Sequence, residues 1–233
     1  MNARDFIRIA LYGAFAGMAI GIGGLLNIVA NTYFVPPAIL GKIIGSLLFP
    51  IGLSLVCFLD LNLFTGKIGY VLDNDKRFIL NLVFIYIGNI IGSLILGGWA
   101  NVVFKGGALH GTVLLIADKK LFELSFRPII KVFGGSVLCG ALVYIAVFSY
   151  KTFKQVCLKL IGIFLAIGLF VFLGFDHCIA NMFYFTFSWS WKDPVSFVNI
   201  AIVTLGNSIG AIAINEGIKA AKKLFKKNEE KSI

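Results

Sequence analysis

A chain of 233 residues that is 59% hydrophobic and only 14% charged has little capacity for a water-soluble domain, which would carry about 25% charged residues. Its mean hydropathy of +0.93 and its apolar stretches, each long enough for a helix to cross a bilayer, make it a polytopic helical membrane protein. The net charge of +10 lies in short islands between those stretches, so it requires no nucleic-acid partner; a basic tail beside an anionic lipid leaflet accounts for it.

In chain order, six spans are predicted, over 8–30, 39–59, 78–104, 128–150, 156–174 and 196–218. The first contains YGAFAGMAIGIGGLL, too long for a signal-peptide core and rich in the glycines of a close-packing helix. The second runs into DLNLFTGK (60–67), where an acid, a glycine and a lysine interrupt the apolar run. The third carries Gly88 and Gly92 at small-xxx-small spacing, and the sixth repeats this with Gly206 and Gly210. Between the third and fourth spans, His110 is expected in a solvated loop with Lys119 and Lys120. The fifth span runs into GFDHCIAN (174–181), and a basic tail over 219–233 extends the last helix. Cys57, Cys139, Cys157 and Cys178 have neither metal-ligand spacing nor the context of a disulfide framework, and read as packing residues.

Lysine and arginine set the orientation. Arg4 and Arg8, the 67–77 loop, the 151–159 loop and the tail hold fourteen of them, against six on the other side, with Lys131 at the start of the fourth span. Both termini are therefore expected in the cytoplasm.

The apolar runs hide a repeat. IGLSLVCFLD (51–60) aligns without gaps to IGLFVFLGFD (167–176), and NLVFIYIGNIIGS (81–93) to NIAIVTLGNSIGA (199–211), at offsets of 116 and 118. The chain thus reads as one transmembrane domain, 1–233, with one repeat over 8–104 and a second over 128–218. Three spans per repeat is an odd number, so the second copy enters the membrane from the opposite side. Inverted repeats with matched interruptions point to a transport site near the membrane midplane.

Non-helical backbone at that depth is tolerated only where it is buried in protein or lines an aqueous cavity. The two interruptions, facing each other, give a narrow passage lined by Leu63, Phe64 and Thr65 from one side and His177 from the other. An ionisable group inside the membrane is a functional candidate by default, and the ordinary histidine pKa of about 6.5 suits proton exchange. Asp176, and Asp60 as its repeat mate, read as structural carboxylates that accept loop N–H groups or pair with a lysine. Thr65 is a candidate cap for the helix that follows it.

The segments FPIGL (49–53), LFTG (63–66), GFDHCIANM (174–182) and VTLGNSIGA (203–211) resemble signatures of the formate/nitrite transporter family in the right order across nearly the whole chain. The resemblance implies an aquaporin-like protomer of six helices in two inverted repeats, with the second and fifth broken, assembled as a homopentamer. It also implies a channel for small monovalent anions such as formate, nitrite, hydrosulfide or lactate. Carried over by residue, His177 corresponds to the central histidine and Thr65 to the loop threonine beside it. Leu53, Leu63 and Phe64 correspond to the constriction on the cytoplasmic side, Phe49 and Phe170 to that on the external side, and Asn181 and Asn207 to residues that hold the loops. The family's A-x-x-K lysine is matched by Lys120 in ADKK (117–120), with Lys119 and Lys131 as alternatives given the longer spacing to the next helix. The chain departs from the family at Asp176 for glutamate, Cys178 for serine, Gly140 where many members have asparagine, and Lys67 where asparagine is common.

The function expected is passive passage of such anions, or of their conjugate weak acids, through the cell inner (cytoplasmic) membrane, with the central histidine coupling permeation to protonation and with no cofactor and no metal. A neutral-solute channel of the aquaporin kind shares the architecture, but the paired Asn-Pro-Ala motifs are missing. An intramembrane enzyme using Asp176 and His177 has no nucleophile, metal cluster or nucleotide loop to accompany them.

Overall fold

A computed structural model describes residues 3–231. Its helices are α1 (Ala3–Tyr33), α2 (Ala38–Leu48), α3 (Pro50–Phe58), α4 (Phe64–Lys67), α5 (Lys76–Phe104), α6 (Ala108–Asp118), α7 (Phe126–Thr152), α8 (Val156–Leu173), α9 (Cys178–Phe187) and α10 (Val195–Lys231). Short 3-10 turns at Ile68–Asp73 and Ser190–Lys192 complete it, and there is no strand among the described residues. Six segments are long and apolar enough to cross a membrane: Arg4–Tyr33, Ala38–Phe58, Lys76–Phe104, Phe126–Thr152, Val156–Leu173 and Val195–Leu224. Leu, Ile and Val side chains such as Leu11, Ile95, Leu138, Leu165 and Leu205 stand exposed on their outer faces, as hydrocarbon requires.

Because lipid is as apolar as leucine, close backbone approach holds such helices together. A Cβ on Gly92 would lie 1.9 Å from the Ala14 carbonyl oxygen, and one on Gly210 1.9 Å from that of Val137. Only glycine permits α1 to lie on α5, and α7 on α10, at this distance. Gly140 has no space for a side chain: its Cβ would meet the Asn207 carbonyl oxygen at 2.0 Å.

Two loops interrupt the apolar interior. Residues 59–63 separate α3 from α4, with Asp60 in the left-handed region at φ 49. Residues 174–177 separate α8 from α9, and Gly174, at φ 75, ends α8. The first free N–H of each following helix is caught by an asparagine one repeat apart. Asn89 Oδ1 accepts from Phe64 N–H at 2.8 Å, and Asn207 Oδ1 accepts from Cys178 N–H at 3.0 Å. Their amide nitrogens donate to carbonyls in the same pattern, Asn89 to Gly13 and Asn62, Asn207 to Ser136 and Asp176. These matches correct the gapless alignment: the structural mate of Asp176 is Asn62, not Asp60, and that of His177 is Leu63. The loop before α4 holds extra residues that the sequence comparison passed over.

A second difference lies between the third and fourth spans. His110 is not in a loop but in α6, an 11-residue apolar helix too short to cross a bilayer. It packs over α9, with the His110 ring 6.1 Å from that of Phe187.

Candidate functional site

Three cavities adjoin one another inside the helix bundle, sharing lining residues. The largest, about 380 Å³, opens on the side of Lys42, Lys119 and Lys120, and Phe49, Phe170 and His177 lie among its walls. The next, about 10 Å³, is lined by Ile20, Phe49, Leu53, Leu63, Val143, Ile167, Phe170 and His177, room for about one water. The third, about 180 Å³, opens on the opposite side between Asp60, Leu63, Lys67, Tyr150 and Lys151. Phe49, Phe170 and His177 border the first two, and Leu63 the last two. Each mouth carries more lysines than carboxylates, and the waist between them is apolar except for His177.

His177 ends the loop before α9 and is 3% exposed. Its Nδ1 accepts from the Ala180 N–H at 3.3 Å, capping the helix, and its Nε2 lies 2.8 Å from Thr65 Oγ1. An Nδ1 that accepts leaves the neutral ring's proton on Nε2, donated to Thr65. Thr65 is fully buried and does not cap α4; that position is Leu63, with no side-chain cap bond. The hydroxyl instead holds the imidazole from behind. The ring stacks on Phe170 with centroids 6.0 Å apart, and Phe170 meets Phe49 edge-on at 5.8 Å, so both aromatic walls are fixed against His177.

Asp176 lies beside the large mouth. Lys120 Nζ donates to its Oδ1 at 2.5 Å, and Asn181 Nδ2 at 3.0 Å. Asn181 Nδ2 also donates to Asn199 Oδ1, and Asn199 Nδ2 to the Lys120 carbonyl, closing a ring that ties the loop after α6 to α9 and α10. Asn181 Oδ1 is buried and has no partner among the described residues. Of the three candidate lysines, Lys120 sits in this ring and Lys119 lines the same cavity, whereas Lys131 borders none of the three.

Leu53, Leu63, Phe49 and Phe170 therefore come together with His177. Phe64 does not. Its ring turns away to meet Tyr86 at 4.8 Å and lines a lateral cavity with Ile68, Leu82 and Thr204. Asp60 stands in the mouth opposite Asp176, apart from His177. Ile20, Val143 and Ile167 line the waist unforeseen; nothing local distinguishes them from other apolar residues of their helices.

Residues 2–220 match the formate/nitrite transporter family. The chain belongs to that family. Among formate/nitrite transporter relatives, it is 28% identical to the formate channel FocA of Haemophilus influenzae, over 90% of this chain and 84% of that one. It is 27% identical to the nitrite transporter NirC of Escherichia coli, over 93% and 84% respectively. A solved pentameric formate channel with formate bound superposes with a TM-score of 0.81 at 26% identity, covering 96% of this chain and all of that one. A second solved structure, an ion channel of the same family, gives 0.77 at 21% identity over 94% of this chain and 96% of that one, a likeness of fold. These formate/nitrite transporter relatives are channels and transporters, not enzymes.

Proposed function

We propose that the protein is a passive homopentameric channel for small monovalent anions of the formate and nitrite type, in which each protomer passes its substrate as the conjugate weak acid. The observation that carries this reading is the set of adjoining cavities: two lysine-bearing mouths separated by an apolar waist with a single ionisable side chain. The solved relative that is pentameric and holds formate supports both the assembly and the substrate class. The lysine distribution supports cytoplasmic termini, with the Lys67 and Lys151 mouth facing the cytoplasm and the Lys120 mouth facing out.

Lysines draw the anion into a mouth by their field. A bare charge cannot enter the waist cheaply, because unpaired burial of an ion costs far more than burial of a neutral group. As the anion leaves water its neutral form gains, and a proton taken from the mouth's water converts it to the acid. His177 as placed presents a neutral ring whose Nε2 proton is held by Thr65, leaving the Thr65 hydroxyl hydrogen free to donate. The pair acts as a polar step midway, and the ring exchanges a proton with the permeant when the cap on Ala180 opens.

The deciding experiment is uptake of formate, nitrite, hydrosulfide and lactate into proteoliposomes of the purified protein at about pH 5.5 and about pH 7.5, on either side of the ordinary histidine pKa. Selective uptake that is faster at the lower pH supports the reading. Entry of water or glycerol with no anion at either pH overturns it in favour of a neutral-solute channel.

A further inference from the structure

The lysine that faces His177's loop is not a free charge. Lys120 is bound to Asp176 at 2.5 Å, with both side chains mostly buried. The pull and the selection of an anion on that side must come from other groups, and the opposite wall of the same cavity supplies them. Asn27, on α1, is 9% exposed and borders the cavity, yet its side-chain amide has no hydrogen-bond partner among the described residues. An amide that borders a cavity and bonds to no protein group is left for water or a ligand to satisfy. Its nitrogen lies 2.6 Å from where a Cβ on Gly45 would be, and the Asn31 nitrogen 2.9 Å from the same point, so both amides crowd onto one strip of α2 that only a glycine leaves open.

Lys42 lies three residues before Gly45, one turn along the same face of α2. Its ammonium has no carboxylate within ion-pair distance among the described residues; it lies over the Phe172 ring at 4.8 Å and borders the same cavity. Phe49, at the entrance to the waist, follows Gly45 by four residues on that face. Lys42, the glycine strip against which Asn27 packs and Phe49 thus succeed one another down one face of α2, all beside the same cavity.

We propose that Lys42 and Asn27 form an oxyanion-selecting station in this vestibule, a site that takes planar anions with two oxygens before they reach Phe49. It rests on the anion-channel reading and names the groups that set its substrate preference. The ammonium binds one oxygen as a point charge, and the amide N–H donates to the other. Hydrosulfide offers one diffuse sulfur, a weak acceptor, and gains little from the amide. The station therefore favours formate and nitrite over hydrosulfide.

The test is competitive uptake into proteoliposomes, read as the ratio of formate to hydrosulfide and of nitrite to hydrosulfide initial rates, for the wild type, Asn27→Ala, Asn27→Asp and Lys42→Gln. Losing one hydrogen bond to a charged group lowers both ratios about tenfold in Asn27→Ala. Asn27→Asp keeps the shape but sets a carboxylate against the anion, and lowers them further. Lys42 is exposed, so Lys42→Gln folds whatever Asn27 contributes to packing, and its ratios fall as well. Ratios that stay at the wild-type value in the Lys42→Gln and Asn27 variants, while the wild type carries formate, overturn the station alone. A wild type that carries none of the three anions overturns the channel reading and the station with it.

Discussion

The ion pair between Lys120 and Asp176 gives the sharpest energetic test of the site. Its side chains are 14% and 13% exposed, so each charge is largely removed from water. Replacing Lys120 with Met leaves the Asp176 carboxylate with only the Asn181 amide at 3.0 Å. Removing one partner of a fully buried pair costs about 3–5 kcal/mol, and the residual exposure places this one near the lower end, at about 3 kcal/mol. Asp176→Asn keeps the shape and leaves the ammonium over the Tyr184 ring at 5.6 Å; that contact and water limit the loss to about 2 kcal/mol. With both charges gone nothing is left unpaired, so Lys120→Met/Asp176→Asn loses about 2 kcal/mol rather than the sum of about 5, a coupling of about 3 kcal/mol. The cycle is read from equilibrium unfolding in mixed micelles of rising SDS fraction. Trp191, whose indole donates to the Thr186 hydroxyl on α9, is the fluorescent reporter. A double variant that loses the sum of the two single losses refutes the claim that this pair holds the loop after α6 against α9.

The helix contacts predict matched losses in the two halves. Gly92→Ala and Gly210→Ala each drive a methyl to 1.9 Å from a carbonyl oxygen, forcing the helices apart at a cost of about 1–3 kcal/mol or more. Gly217→Ala, with nothing within 4 Å of its added Cβ, is tolerated and gains up to about 1 kcal/mol of helix propensity; size-exclusion profiles in detergent separate the two outcomes. Asn89→Ala and Asn207→Ala each strip three hydrogen bonds from buried or partly buried backbone groups, and each lowers stability by about 2 kcal/mol. A large loss in one and none in the other contradicts their equivalent roles. Thr65→Val keeps the volume while removing the partner of His177 Nε2; formate uptake slows and its pH profile shifts. His177→Gln also changes that profile, and flux identical to wild type at every pH removes His177 from the mechanism.

Most of the architecture is local and therefore readable along the chain. Crossing a bilayer needs about 20 apolar residues in a row, and a run such as 78–104 announces itself by composition alone. The loops at 59–63 and 174–177 lie where Gly, Asp and His intrude on such runs, which is why His177, Thr65 and Asp176 stand out before any coordinates are known. The direction in which a side chain points is another matter, because helix rotation is set by what packs against each helix. Phe64 belongs to the same short motif as Leu63, yet one faces Tyr86 and the other the waist. Ile20, Val143 and Ile167 join that waist from three helices distant in sequence. Likewise, the pairing of Asp176 with Asn62 emerges from the hydrogen bonds of Asn89 and Asn207, not from aligned letters. Asn27 is one amide in an apolar helix until α2, bared at Gly45, packs against it beside the cavity that Lys42 also borders. Composition and periodicity determine that six helices cross and where they are interrupted, since those depend on neighbours along the chain. Which residues meet across the path was decided by the tertiary structure, through glycine contacts that bring distant helices within a carbonyl's reach.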